Sequence, residues 1–342
     1  MKFTIVGQGV AGTLLAFELE RRGVDFRIID AGKNHSSSVA AGIMNPVVFR
    51  RLTKSWMVDD CWDLAIHTYK ELEEKLGTSF FHTKSMRRLY ASEQEADFWE
   101  EKTNNPDFSK YISKFSEDDV SPDYANNTHG NGLVKQVNHI DVVPFLSASR
   151  KYFESLGKIV SAFVDYEKLF QDVRDGETTG VIFCQGYQNF ENPFFKNLPV
   201  QTAKGQILTV EMQGLNENEL LNRKCFVLPV GNNLFRVGAT YEWENISVEI
   251  SEDARLEISE KLQSLIQIPF NVVNQDAGIR PTSPDRRPIL GAHPEHKGMF
   301  ILNGLGAKGY LLAPWCVKQL CAHIFEGETL LAEVDLKRFN VL

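Results

Sequence analysis

FTIVGQGVAGTLLAFELERRGVDFRIID, Phe3 to Asp30, decides the fold. The apolar run Phe3 to Val6 stops at Gly7, and Gly7, Gly9 and Gly12 follow in Gly-x-Gly-x-x-Gly spacing, which reads as strand, tight turn and helix. A side chain at Gly7 would obstruct the turn, one at Gly9 would block close approach of the backbone to a phosphate, and one at Gly12 would hold the helix off the sheet. The helix, opening at Val10 and Ala11, offers N–H groups and the positive end of its dipole to a pyrophosphate. Ala11, Leu14, Leu15 and Leu19 form its apolar stripe and Gly23 its stop. A second apolar strand, Phe26 to Ile29, ends at Asp30, whose carboxylate can accept both hydrogen bonds of a ribose diol. The unit therefore reads as an adenine dinucleotide site, and on its own leaves NAD and FAD open, because both are held this way.

The rest of the chain sets limits. With 342 residues it is long enough for one large or two intertwined domains that enclose a cofactor. Its 43% hydrophobic and 24% charged residues are those of a globular protein. A net charge of −8 argues against a polyanion as main partner, so nucleic acid is not expected. The basic clusters Arg50, Arg51, Lys54 and Lys84, Arg87, Arg88 read as solvated faces or charge balance. The five cysteines, an odd number without metal-ligand spacing, read as reduced buried thiols in a cytoplasmic protein. No metal site and no membrane span is expected.

Periodicity sketches the remaining elements. A helix is predicted over about 59–76, ended by Gly77, and another over 140–156, opened by Asp141 and closed by Gly157. Strand patterns follow in GVIFCQ, GQILTVE, KCFVLPV and NLFRVGATY, with Asn232 and Asn233 marking a tight hairpin. A helix over about 252–267 comes next, and MFILNGLGAKGYLLAPW ends the chain as strand, glycine-rich turn and helix. The fold class is α/β: a Rossmann-like dinucleotide-binding domain interrupted by a sheet-rich α+β substrate domain. The first is predicted over 1–84, 138–200 and 276–342, the second over 85–137 and 201–275. The second glycine turn, Gly304 to Gly309, would aim a helix N-terminus at a phosphate or an electron-rich ring.

Together the opening unit, SSSVAAGIMNP, VIFCQGY, AKGQILTVE, RVGATY, AGIRPTSPDRRPILG and GLGAKGYLLAP resemble the FAD-dependent oxidoreductases of the D-amino acid oxidase and glycine oxidase superfamily. The resemblance implies FAD rather than NAD. It implies that Ser37, Ser38, Ala41, Gly42 and Ile43 run beside the flavin, and that Gly304, Gly306, Ala307, Lys308, Gly309 and Tyr310 close on its pyrimidine end. It also implies that a strand around Val164 contacts the adenine and that Gly186 lies near the pyrophosphate. Where sarcosine oxidase-type relatives attach FAD through a cysteine, the matching residue is Gly278, so FAD should be non-covalent and released on denaturation.

The activity implied is oxidation of the C–N bond of a small amino acid or N-substituted glycine, with hydride transfer to flavin N5 and dioxygen or another acceptor taking the electrons onward. Arg280 matches the arginine that holds the substrate carboxylate, work that suits the planar guanidinium fork. Tyr241 matches a position facing the flavin, where it shapes the pocket or hydrogen-bonds substrate, or else is a strand aromatic in the core, and Lys308 lies in the flavin loop, where it places positive charge or points to solvent. Lys224 and Phe226 replace a His and a Tyr of glycine oxidase, which points away from glycine and toward a larger or more apolar amine. GLGAKG is also similar to the turn in the oxidase domain of the bifunctional tRNA 5-methylaminomethyl-2-thiouridine biosynthesis protein. A carboxymethylaminomethyl-modified tRNA uridine is therefore an alternative substrate. A nicotinamide dehydrogenase would account for the first glycine turn but has no need of the second, and a flavin-binding protein without turnover would account for both.

Overall fold

The structure, a computed structural model, describes residues 1–32, 36–114, 125–244 and 246–341. The chain opens with strand β1 (Lys2–Val6), helix α1 (Val10–Arg21) and strand β2 (Asp25–Ile29), the order read from the first glycine motif. A short helix α2 (Ser36–Val39) and the strands β3 (Ile43–Met44), β4 (Val47–Val48) and β5 (Thr53–Lys54) lead into helix α3 (Val58–Leu76). Helix α3 buries Val58, Trp62, Ala65, Tyr69 and Leu72 on one face and ends at Gly77, whose φ of 59° suits the left-handed stop. Then come β6 (Phe81–Leu89), α4 (Glu93–Thr103), α5 (Pro106–Ser109), β7 (Ile112–Lys114), β8 (Asn131–Ile140), α6 (Val142–Ser155), β9 (Ile159–Val160), α7 (Tyr166–Arg174) and β10 (Gly180–Phe183). The last part comprises β11 (Gln201–Glu211), β12 (Glu219–Asn222), β13 (Phe226–Gly231), β14 (Leu234–Gly238), α8 (Glu252–Gln263), β15 (Asn271–Thr282), β16 (Ile289–Ala292), β17 (Met299–Asn303) and α9 (Gly309–Glu326).

Two sheets carry the fold. The first runs β16–β17–β10–β1–β2–β9 and is parallel except for β16. Helices α1 and α3 pack on α9 beside it. With 12 residues, α1 is too short to be stable alone in water, and burial of Leu14, Leu15 and Leu19 against the sheet is what holds it. The second sheet runs β15–β11–β14–β13–β12–β6–β8–β3, antiparallel except for β12 beside β6, with β7 added to β8. Asn232 and Asn233 turn the β13–β14 hairpin with φ of 57° and 59°, the double left-handed conformation of a two-residue turn.

Three expectations need correction. The boundaries placed at 84, 138 and 276 fall inside β6, β8 and β15, each of which stays in the second sheet along its length. Ile140 is the last residue of β8, and α6 starts at Val142 after Asp141, whose side chain makes no cap hydrogen bond. Val164 lies in no strand. Strand β9 pairs with β2 over only two residues, and Asp165 then caps α7 by accepting from Lys168 N at 2.9 Å, which turns the chain out of the sheet and leaves Val164 half-buried against the hydrophobic cluster around Phe183. Part of the polar loop read before residue 138 (115–124), and residues 33–35 of the stretch after Asp30, lie outside the described residues.

Candidate active site

A cavity of about 530 Å³ opens between the two sheets. One wall comes from turns at the edge of the first sheet. Gly7 has a φ of +98°, and a Cβ there would stand 2.6 Å from Cys184 O. A Cβ at Gly12 would stand 1.9 Å from Gly7 O, so the helix sits as close to the turn as a residue without a side chain permits. At Gly9 the obstacle would be Ser37 Oγ, 2.9 Å away. That hydroxyl accepts from Val10 N at 3.0 Å, so one of the N–H groups at the helix start is already engaged by α2. Gly42 adopts φ +69° with Ile140 O where its Cβ would be, at 2.0 Å. The chain at Gly42 thereby runs against the end of β8 with no room for a side chain.

Gly9, Val10, Ala11, Ser37, Ala41, Gly42, Ile43, Gly186, Gly306, Ala307, Lys308, Gly309 and Tyr310 all line the cavity, together with Arg280 and Tyr241. Gly7, Gly12, Asp30, Ser38, Val164 and Gly304 do not. Gly7, Gly12 and Gly304 shape the turns behind the wall. Asp30 accepts from Gln8 N at 3.1 Å and Gly32 N at 3.1 Å, and pairs with Arg150 at 3.0 Å. Beside it the buried Gln8 Nε2 has no acceptor among the described residues. An uncommitted donor next to a carboxylate at the end of β2 suits the hydroxyl and phosphate oxygens of a dinucleotide.

Asn303, which no sequence motif singles out, joins the Gly186 segment to the second glycine turn. Its Nδ2 donates to Gly186 O at 2.9 Å while its Oδ1 accepts from Gly304 N at 2.8 Å. Tyr310 fixes the same wall from below, its hydroxyl donating to Ser37 O at 3.0 Å and its carbonyl accepting from Tyr69 at 2.8 Å. Lys308 Nζ meets Ser55 Oγ, and no carboxylate pairs with it among the described residues. Burial pulls its pKa from 10.5 down to about 8.

The other wall is the face of the second sheet, with Met86, Ile207, Asn222 and Phe226. Arg280 projects from β15, an edge strand, which explains how Pro281 next to it is tolerated inside a strand. Its Nη1 donates to Thr240 O at 3.2 Å and more weakly to Lys204 O at 3.4 Å. The guanidinium carbon lies 4.1 Å from the centre of the Tyr241 ring, which is 56% exposed at the cavity mouth and not a core aromatic. Burial lowers the arginine's pKa and Tyr241 opposes the shift. No carboxylate pairs with Arg280 among the described residues, and its other N–H groups have no protein acceptor there. Sequence reasoning also passed over Gly205, where a Cβ would fall 1.9 Å from Arg280 Nη2. Its signal was present in AKGQ, but its partner lies 75 residues on. Among the described residues no group of three His, Cys, Asp or Glu could hold a metal.

The family model described as FAD dependent oxidoreductase matches residues 2–323. The chain belongs to this family. FAD is its cofactor, and the glycine cradle, the Gly42 backbone with no room for a side chain and the orphaned Gln8 amide fit such a group. Glycine oxidase of Geobacillus kaustophilus is 24% identical over 91% of this chain and 89% of its own length. The crystal structure of iminodiacetate oxidase from Chelativorans sp. BNC1 superposes with a TM-score of 0.79 at 20% identity, covering 98% of each chain. The tRNA 5-methylaminomethyl-2-thiouridine biosynthesis bifunctional protein of Idiomarina loihiensis is 25% identical, over 42% of this chain and 24% of its own length. This FAD-dependent oxidoreductase has no helix among its described residues that is long and apolar enough to cross a membrane.

Proposed function

We propose that this FAD-dependent oxidoreductase oxidises the C–N bond of a small amino acid or N-substituted glycine whose carboxylate is held by Arg280. The observation that carries the reading is the largely buried Arg280 guanidinium, facing the cavity with no carboxylate partner among the described residues. A buried arginine left with unpaired N–H groups is costly, and a substrate carboxylate relieves that cost with paired, charge-assisted hydrogen bonds. The backbone carbonyls of Lys204 and Thr240 fix one side of the fork and Tyr241 stacks on its face, so the substrate meets a preset orientation.

Gly9, Val10, Ala11, Ser37, Gly42, Gly306 and Tyr310 would hold FAD on the opposite wall, with Asp30 and Gln8 toward the ribose. FAD when bound supplies the acceptor for the hydride equivalent leaving the carbon next to nitrogen. The amine gives up a proton as well, and water hydrolyses the resulting imine to a carbonyl compound and the freed amine. Lys308 contributes positive charge to the same cavity. The buried free cysteines suit a reducing compartment, and the reading places the protein in the cytoplasm.

The test is the visible spectrum of the anaerobic protein titrated with glycine, sarcosine, D- and L-amino acids and N-alkyl glycines. Bleaching of the flavin band by a carboxylated amine, lost or strongly weakened in Arg280→Ala, supports the reading. Bleaching that is equally efficient in Arg280→Ala removes it.

A further inference from the structure

The second sheet lines up a row of neighbours. Arg88 on β6 pairs with Asn222 on β12, Asn222 with Phe226 on β13, Phe226 with Gly238 on β14, and Gly238 with Ile207 on β11. Paired residues share a face of a sheet, and Asn222, Phe226 and Ile207 all reach the cavity. Arg88 Nη1 donates to Asn222 Oδ1 at 2.6 Å. A guanidinium is only a donor, so this contact fixes which end of the amide is which: Oδ1 faces Arg88, and Nδ2 faces away. Nδ2 donates to no described residue.

Asn222 also lines a second cavity of about 360 Å³, and Phe49 is the other residue that borders both. The walls of the second cavity mix the polar Ser92, Gln94, Glu95, Arg88 and Arg223 with the apolar Phe49, Ala91 and Phe98. Glu95 neutralises Arg88 through contacts of 2.8 and 3.1 Å. Arg223 has no such partner among the described residues. It donates to the backbone carbonyls of Asn126 and Ser264, and its buried Nε has no acceptor among the described residues. One positive charge is thus left over beside an oriented amide donor.

We infer that Asn222 is a specificity-determining residue for an extended substrate. Its Nδ2 donates to an acceptor oxygen at the far end of the amine's N-substituent or side chain, and Arg88 acts as its positioning residue. The inference rests on the reading of Arg280 as the carboxylate anchor. Strands β12 and β15 are four spacings apart in the sheet, roughly 19 Å between backbones; Arg280 reaches back over Gly205 on β11 to Thr240 O, and the substrate spans what remains between its guanidinium and Asn222. The substrate class is therefore an amino acid or N-substituted glycine with an arm that crosses the cavity from Arg280 to Asn222 and ends in a carboxylate or carbonyl. The leftover positive charge of Arg223 favours the carboxylate.

Thioethers with sulfur in place of the amine nitrogen are not oxidised by C–N chemistry and allow equilibrium titration of the holoenzyme through its flavin band. The probes carry a carboxymethyl group on one side and an alkyl arm of increasing length on the other, ending in carboxylate, carboxamide or methyl. Above a threshold length the acid-ended arm should bind about tenfold more tightly than the methyl-ended one, with the carboxamide between them. Asn222→Leu should cancel that difference. Asn222→Asp, which keeps the acceptor for Arg88 and hence the fold, should reverse it for the acid, and its flavin content confirms a folded holoenzyme. Equal affinity for all three ends at every length, or a preference that survives Asn222→Leu, overturns the inference while leaving Arg280 in place. If no probe binds and Arg280→Ala changes nothing, both readings fall together.

Discussion

The two walls of the cavity are built in opposite ways. The cofactor wall is made of short segments, Gly7 to Gly12, Ser36 to Ile43 and Gly304 to Tyr310, in which backbone stands where a glycine's side chain would go: Gly7 O against Gly12, Cys184 O against Gly7 and Ile140 O against Gly42. The opposite wall, proposed to meet the substrate, is a sheet face, where Asn222, Phe226 and Ile207 become neighbours only through strand register. A wall of the first kind tolerates almost no added atoms, because backbone stands where a side chain would go. A wall of the second kind can change its side chains while the strands stay paired, so substrate preference can vary on a constant cofactor site.

The largest effect should therefore come from the cofactor wall. In Gly12→Ala the new methyl meets Gly7 O at 1.9 Å, and in Gly42→Ala it meets Ile140 O at 2.0 Å in a backbone conformation that alanine disfavours. Each variant should be isolated without flavin or fail to fold, as judged by the visible spectrum and circular dichroism. Normal flavin content in both would show that the wall yields, and would weaken the contrast. Next in size is Arg280→Ala. Removing one partner of a buried, hydrogen-bonded charge pair costs about 2–5 kcal/mol, which raises the half-saturating concentration of a carboxylated amine by about thirty-fold to several thousand-fold. Flavin content should stay unchanged, since Arg280 stands on the other wall.

That difference in construction also decides what the sequence reveals. The glycine spacing of the first unit carries its own steric logic, so the turn, the helix start and the acid at Asp30 are readable in order from 28 consecutive residues. The stop at Gly77 and the Asn232–Asn233 turn are local in the same sense. Arg280 was legible as a residue only through the family motif, and its strand was not: GIRPT reads as a loop because nothing nearby announces that β15 is an edge strand, where proline costs little. Gly205 needs Arg280 across the β11–β15 pairing to make sense, and Asn222 needs Arg88, 134 residues away. The strand expected around Val164 is missing for the complementary reason, since β9 is too short to carry its pairing that far.

A smaller effect separates Lys308 from the rest of the cofactor wall, because this residue adds charge and not shape. Burial lowers its pKa from 10.5 to about 8. Between those two values the unfolded chain binds a proton that the folded chain has released, so stability rises with pH across that window, and below about 8 the full cost of burying the ammonium is present. Lys308→Met should accordingly melt at a higher temperature than the parent protein below about pH 8, with the gap closing toward 10.5. Flavin reduction should respond in the other direction. The parent should lose rate as pH rises through about 8 and the cavity loses a positive charge, while Lys308→Met lacks that inflection and keeps only the one due to the substrate amine. Identical pH profiles in the two proteins would place the ammonium outside the reaction.

The smallest effect should come from Tyr241, on the substrate wall but at its rim. Its ring lies 4.1 Å from the Arg280 guanidinium carbon and is 56% exposed, so its contribution is a partly hydrated cation–π contact. Such contacts are worth about 0.5–2 kcal/mol, and Tyr241→Ala should weaken carboxylate binding by a few-fold to about thirty-fold. Tyr241→Phe keeps the ring and should behave like the parent. If removing the hydroxyl alone costs as much as removing the whole ring, Tyr241 hydrogen-bonds the substrate, and the rim belongs to the recognition surface alongside Arg280. The parent-like result would instead leave Tyr241 as the plate that keeps the guanidinium flat, with recognition confined to groups deeper on the sheet.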